Sequence, residues 1–272
     1  MLDAMRTHDV LIVGGGLIGC ALACELAKAK QRVAVVEKGE PGQEASQAAA
    51  GMLAPHAGAG RRTPFLQFLR DSLEMYPQFV GELESETGLK TEFRRCGLFY
   101  VVLSEDDEKF LEEKREWQVQ SLIETGWVSA KDVRDREPHI GSCVRRALYF
   151  PGDCQVDNVR LFAAVLARAR KLGVEFVPES PAIRVWIEKE VVRGVLTEKE
   201  KLESPVVVNA AGSWAPFDPE LGFEIPVKPA RGQIAVFAHH APLFRHIIQT
   251  RRVYLVSRDD GRVLVGSTVE SA

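Results

Sequence analysis

The sequence predicts the α/β class: a parallel-sheet domain interrupted by an inserted, antiparallel-sheet domain. Three observations lead there. A β-branched run, Val10–Val13, enters a glycine-rich turn and then a helix. A second run, residues 32–36, follows at once and ends in Glu37. A third, residues 206–208, arrives far downstream and again runs into a glycine, in the stretch NAAGSWA. Short apolar runs of this kind read as strands buried on both faces.

The turn after the first run carries Gly14, Gly16 and Gly19, the G-x-G-x-x-G pattern. In that pattern the first glycine makes the tight turn, the second lets a pyrophosphate approach the backbone, and the third packs helix on strand. Leu22, Ala23, Leu26 and Ala27 give the helix an apolar stripe. Its free N–H groups and positive dipole end suit a pyrophosphate. Glu37 lies eighteen residues after Gly19, where a carboxylate accepts both ribose hydroxyls of an adenosine and repels a 2′-phosphate. A packed βαβ unit with no ligand is the alternative. The strand before, the helix after and the acidic strand end together favour a Rossmann-like dinucleotide site.

Farther along, Phe65, Leu66, Phe68, Leu69, Leu73, Tyr76, Phe79, Val80 and Leu83 recur at helical spacing, with Gly88 as a stop. Pro77 inside that pattern predicts a kink or two helices. Residues 91–103 read as strands interrupted at Gly97, residues 105–124 as a charged helix, and residues 145–150 as a strand before the loop PGDCQVDN. Asn158 is placed to N-cap a helix reaching Leu172, with Phe162, Val165, Leu166 and Ala169 inward and Gly173 at its end. Residues 174–177 form a strand, and residues 182–187 with 191–196 a hairpin. EKEKLE, residues 198–203, reads as a solvated turn. Residues 206–208 then return to the parallel sheet, with Gly212 letting the following loop approach a ligand. Three later stretches, VKPARGQIAVF, RRVYLVSR and RVLVGSTVE, are strand-like, and Asp259, Asp260 and Gly261 supply a hairpin turn. The expected division is residues 1–60 and 155–217 for the nucleotide domain, and residues 61–154 and 218–272 for the second.

Length is enough for two domains or one large one, and the composition is that of an ordinary soluble globular chain: 272 residues, 46% hydrophobic and 27% charged. A net charge of -3 gives no reason to expect nucleic acid or an anionic membrane as partner. MLDAMRTHD has no apolar leader core, and no run is long enough to span a bilayer. Five cysteines with no C-x-x-C spacing fit a reducing cytoplasm. Cys20 and Cys24, one helical turn apart, read as small core residues. His239 and His240 are expected on opposite faces of a strand end, a poor metal pair, and no metal site is predicted. His56 reads as a hydrogen-bonding support.

Taken together, GGGLIG, VVEK, SQAAAGMLAPH, CGLF, GDCQVDN, VVVNAAGSWA, PVKPARGQ and YLVSRDDGRVLVGSTVE resemble the D-amino-acid oxidase family of flavoproteins, and within it the glycine oxidase (ThiO) type. The resemblance implies FAD as cofactor. Leu17 and Ile18 would offer backbone N–H groups to the pyrophosphate, as part of the turn of Gly14, Gly16 and Gly19. Glu37 and Lys38 would hold the ribose, Ala45 and Ser46 would line the pyrophosphate, and Ala50, Gly51 and Met52 would run beside the flavin ring. Ala182 would contact the adenine, and Gly212 would pass close to the cofactor. Tyr254 would bind the substrate carboxylate, and no protein side chain is assigned as catalyst.

The implied reaction oxidises glycine or another small amine or D-amino acid to a 2-oxo acid and ammonia, with dioxygen reduced to hydrogen peroxide, in thiamine biosynthesis. A homotetramer is implied too. The family also implies a segment beyond Ala272 carrying a carboxylate-binding arginine, so the chain reads as C-terminally truncated. None of Arg231, Arg251, Arg252 and Arg258 matches that arginine, and each reads as solvated surface. A D-amino-acid dehydrogenase with a non-oxygen acceptor and a non-catalytic flavin-binding module are the alternatives. A nicotinamide-linked enzyme is disfavoured by the small residues after Glu37.

Overall fold

The computed structural model describes residues 8–271. The absence of a leader was read from residues that lie mostly outside that span. The chain forms two compact units. One comprises the chain through Ala48, Leu83–Lys90 and Val159–Ala230; the other comprises Ala49–Glu82, Thr91–Asn158 and the chain from Arg231.

In the first unit the described residues form a parallel sheet in the order Val207–Asn209, Val10–Val13, Val33–Val36, Glu175–Val177. The two middle strands are buried at every position, as parallel strands covered on both faces must be. Helix Leu17–Lys28 turns its deepest face inward through Gly19, Cys20, Ala23 and Cys24. The expected stripe is thus shifted: Leu22, Leu26 and Ala27 are only half buried, because the small residues allow the closer approach. Cys20 and Cys24 do sit in the core, and burial pushes their thiols up to about 12 and about 11. Helix Asn158–Lys171 buries Leu161, Phe162, Ala164, Val165 and Ala169. On it the buried Arg168 grips Glu86 through two nitrogens, each at 2.7 Å.

Beside the sheet lies an antiparallel ribbon, Lys201–Glu203, Val191–Thr197 and Ala182–Glu188. Its Val195, Ala182 and Leu202 pack on Leu11, Val13, Ala34 and Val36. The second half of EKEKLE is therefore a strand and not part of a turn. Lys201 and Leu202 gain ladder partners in Leu196 and Val195, which local composition does not reveal.

The second unit is built on a sheet whose described strands run Ile234–Ala238, Arg262–Gly266, Tyr254–Ser257, Ile247–Gln249, Leu98–Val102, Arg146–Phe150 and Gly126–Ser129. Every pairing is antiparallel except that of Ile247–Gln249 with Leu98–Val102. The strand Leu98–Val102 alternates sides, as a pleated strand must. Leu98, Tyr100 and Val102 join Leu111, Leu148, Phe150 and Val256 in one core; Phe99 and Val101 join Val133, Ala147 and Ile248 in another.

Several expectations change here. Pro64–Thr87 is one helix with Pro77 inside it, so the proline does not divide it, and Gly88 follows with φ +73°. The charged helix is Glu105–Gln120; it stops early because Leu122 is left-handed, φ +57°. Of residues 91–103 only Leu98–Val102 is a full strand, while Arg94 makes an isolated bridge to Gln155. The PGDCQVDN loop contains a short strand, Cys154–Gln155, paired with Met52–Leu53.

That pairing, with Ala50 and Ala57 in the core around Leu98 and Val256, places residues 49–60 in the second unit. Residues 218–230 belong to the first, where Asp218 accepts the Val185 N–H at 2.8 Å. His239 and His240 lie past the end of their strand, so alternation no longer separates them, and their rings meet at 3.9 Å. Among the described residues no cluster could hold a metal ion, and no helix is long and apolar enough to cross a membrane.

Leu148 is fully buried, so Leu148→Ala should lower unfolding free energy by about 2–5 kcal/mol in urea titrations. Lys114 is buried and donates to the Ala59 carbonyl; burial lowers its ammonium from 10.5 to about 8. Between those values the unfolded chain binds a proton that the folded chain does not, and this part of the stability rises with pH. The stability difference between wild type and Lys114→Met should therefore move in favour of wild type from pH 8 to 10.5, measured by urea unfolding across that range.

Candidate functional site

The first unit holds a cavity of about 320 Å³ at the carboxyl ends of its parallel strands, where open α/β sheets bind ligands. Gly14 makes it possible. Its φ is +109°, and a Cβ there would lie 2.3 Å from the Ala210 carbonyl oxygen. The loops after Val13 and Asn209 thus meet backbone to backbone. Gly16 is the N-cap of helix Leu17–Lys28 and supplies no side-chain cap of its own.

Ser46 closes the other side of the turn, accepting the Leu17 N–H on its Oγ at 2.9 Å. Glu37 stands at the end of the second strand, and its carboxylate accepts the N–H groups of Gly15 at 2.7 Å and Gly39 at 3.1 Å. Those bonds fix the carboxylate at the cavity wall and leave acceptor capacity on both oxygens. Lys38 pairs with Glu44 at 2.7 Å and lies 3.2 Å above the centre of the Trp214 ring, a cation–π contact.

Most of the residues picked from sequence therefore come together. Gly14, Gly16, Leu17, Ile18, Glu37, Lys38, Ala45, Ser46, Ala182 and Gly212 all line this cavity. Gly19 does not line it; a Cβ there would meet the Gly14 carbonyl oxygen at 2.0 Å, so its part is to pack the helix on the turn. Sequence reasoning missed Glu44, Pro181, Ser213, Trp214 and Phe217. The tryptophan in NAAGSWA, two residues after Gly212, was the available signal.

Ala50, Gly51, Met52 and Tyr254 belong to the second unit. Gly51 has φ +68°, and a Cβ there would lie 2.0 Å from the Val156 carbonyl oxygen. Val156 donates its N–H to Gly51 O at 2.9 Å. Met52 borders a mostly apolar cavity of about 670 Å³, with Phe65, Leu66, Leu73 and Tyr76 among its walls. Tyr254 is half buried and packs, like Met52, against the core around Leu98 and Val256. Its ring lies over Gly266, where a Cβ would approach the hydroxyl to 2.5 Å.

Arg258 corrects the surface reading outright. It is 1% exposed, donating from Nη2 to Ala50 O at 2.6 Å and from Nη1 to Val156 O at 2.8 Å. Burial pushes its guanidinium below the ordinary value, and Asp157, 3.9 Å from Nε, opposes that. His56 is a support as expected: its Nδ1 lies 2.7 Å from the fully buried Asp153, whose oxygens also accept the His56 and Ala57 N–H groups.

The glycine turn, the acidic strand end and the cavity between them define a dinucleotide-binding domain of the Rossmann kind. The chain belongs to the family described as DAO, FAD dependent oxidoreductase, whose model matches residues 9–272. It is 34% identical over 271 residues to the bifunctional protein ThiO/ThiG of Synechocystis sp., covering 97% of this chain and 39% of that one. To the glycine oxidase of Bacillus licheniformis it is 30% identical over 267 residues, 97% of this chain and 70% of that one. The crystal structure of glycine oxidase from Geobacillus kaustophilus superimposes with a TM-score of 0.93 at 28% identity, over 98% of this chain and 72% of that one. The chain thus spans well under half of the bifunctional relative and about 70% of that glycine oxidase.

Gly14→Ala should weaken FAD binding at least a hundredfold, because the added methyl forces the two loops apart. Titration of the apoprotein with FAD, followed by flavin fluorescence, measures this.

Proposed function

We propose that this protein binds FAD and oxidises glycine or another small amine or amino acid to a 2-oxo acid and ammonia, passing the electrons to dioxygen. The observation that carries the reading is the likeness to glycine oxidases, which in sequence and fold extends over nearly the whole chain. Bound FAD would supply two-electron redox chemistry at its flavin ring. The residues present fit the adenosine and pyrophosphate of that group: Gly16, the N-cap of the helix, puts no side chain into the cavity it lines, and the Glu37 carboxylate stands on the wall of the same cavity.

In this reading Glu37 accepts the ribose hydroxyls. The Ile18 N–H faces the pyrophosphate, and Leu17, whose N–H goes to Ser46 Oγ, holds the Ser46 hydroxyl beside it. Lys38, held by Glu44 and Trp214, walls the ribose, with Ala45 beside the pyrophosphate, Ala182 against the adenine and Gly212 beneath the cofactor. In the second unit Ala50, Gly51 and Met52 present small or flexible side chains to the flavin. Tyr254 donates its hydroxyl proton to the substrate carboxylate, fixing the α-carbon for oxidation. The place in thiamine biosynthesis that the sequence resemblance implies belongs to the same proposal.

Purified protein titrated with FAD should turn yellow; anaerobic glycine or sarcosine should bleach it, and air should restore the colour with release of hydrogen peroxide. Failure to bind FAD overturns the reading, while a flavin that is reduced but inert to oxygen shifts it to a dehydrogenase. Tyr254→Phe should raise KM with little change in kcat, by the worth of one hydrogen bond to a charged group, about 1.5–3 kcal/mol. Steady-state kinetics measure it.

A further inference from the structure

We propose that Arg258 is a positioning residue for the cofactor: its buried guanidinium sets the path of the Ala50–Gly51 peptide. The inference rests on the reading that Ala50, Gly51 and Met52 flank the flavin.

Three features of the second unit converge on this side chain. First, its two terminal nitrogens split their bonds between sequence-distant carbonyls, Nη2 to Ala50 O at 2.6 Å and Nη1 to Val156 O at 2.8 Å. A third, longer contact runs from Nη2 to Asn158 Oδ1 at 3.4 Å. A planar fork of donors is the side chain that can hold two carbonyls at fixed separation; a lysine offers a single nitrogen and cannot span them.

Second, the peptide it grips has little freedom of its own. Gly51 is left-handed, and a Cβ there would collide with Val156 O at 2.0 Å and crowd Arg258 Nη2 at 2.9 Å. Met52–Leu53 continues as a two-residue strand against Cys154–Gln155. The Val156 N–H extends that pairing to Gly51 O at 2.9 Å, and the guanidinium carries it one carbonyl further, to Ala50 O.

Third, Arg258 follows directly on the strand Tyr254–Ser257, so one backbone carries both the substrate-side tyrosine and the anchor of the flavin-side peptide. The guanidinium is itself held. Asp157, 1% exposed, lies 3.9 Å from its Nε and accepts from Arg262 Nη2 at 2.8 Å. Arg258 N–H donates to Arg262 O at 2.8 Å. Burying a guanidinium has a substantial desolvation cost. Packing alone at this position would be served by an apolar side chain, whereas spacing two carbonyls is not.

The test compares wild type with Arg258→Met, which keeps the bulk, and Arg258→Lys, which keeps the charge. Each is examined for FAD affinity, for the visible flavin spectrum, and for hydrogen exchange in the apoprotein. Expected for the methionine variant are FAD binding at least tenfold weaker, a shifted flavin spectrum, and faster exchange at Gly51–Met52 and Val156, with exchange in the Leu98–Val102 strand unchanged. The lysine variant should lie between it and wild type.

Variants that bind FAD with wild-type affinity and spectrum overturn the proposal. So does exchange that rises uniformly across the second unit, or insolubility of both variants, since each marks a general stabilising part. If the methionine variant alone is insoluble, the lysine variant decides. A wild-type protein that binds no FAD, yet shows exchange at Gly51 controlled by Arg258, separates failure of the flavin reading from failure of the anchor.

Discussion

Everything in the nucleotide cavity follows from two backbones meeting at Gly14. Its N–H donates to Val36 O, and one residue earlier Val13 O accepts from Ala210, both at 2.8 Å. The end of the first strand is thereby stitched to both neighbours while its turn passes within contact of Ala210. No side chain can occupy that space. Because the approach is that close, the helix after Gly16 starts at the cavity, and the Glu37 carboxylate reaches the N–H of Gly15. The site is a consequence of strand order: the first and second strands and Val207–Asn209 lie side by side, so the loops leaving their carboxyl ends converge.

The second unit is organised by a different device. Its sheet supplies two apolar cores, but the irregular segments around it are tied by buried charges. Asp153 collects His56 and Ala57. Glu137, 1% exposed, collects the N–H groups of Arg245 and His246 together with the His246 ring. Arg258 collects Ala50 and Val156. In each case one side chain joins stretches that are distant in sequence. A buried charge stripped of its partners typically costs about 3–5 kcal/mol, so these ties select one arrangement sharply even where their net stabilisation is small.

The family assignment fits this division of labour. The family's model matches residues of both units. In the first unit the cavity is lined by the glycine turn, small residues, the Glu37 carboxylate and the Lys38–Glu44 pair beside Trp214. In the second, the segment from Ala50 to Met52 is shaped by what lies behind it, Val156 and Arg258, and less by its own residues.

How much was legible beforehand follows from the same contrast. The sequence by itself determined the βαβ unit, its glycine turn and acidic strand end, the class of fold, and the family's cofactor. These depend on backbone conformation and near neighbours, which leave fixed spacings in the chain. Lys201–Glu203 becoming a strand, residues 49–60 joining the second unit, the contact of the His239 and His240 rings, Trp214 beneath Lys38, and above all the burial of Arg258 were decided by tertiary structure alone. In SRDDG an arginine beside two aspartates has the local signature of a solvated turn. Only the arrival of Ala50, Val156 and Asp157 from elsewhere in the chain supplies the carbonyls and the carboxylate that let a charged side chain leave water.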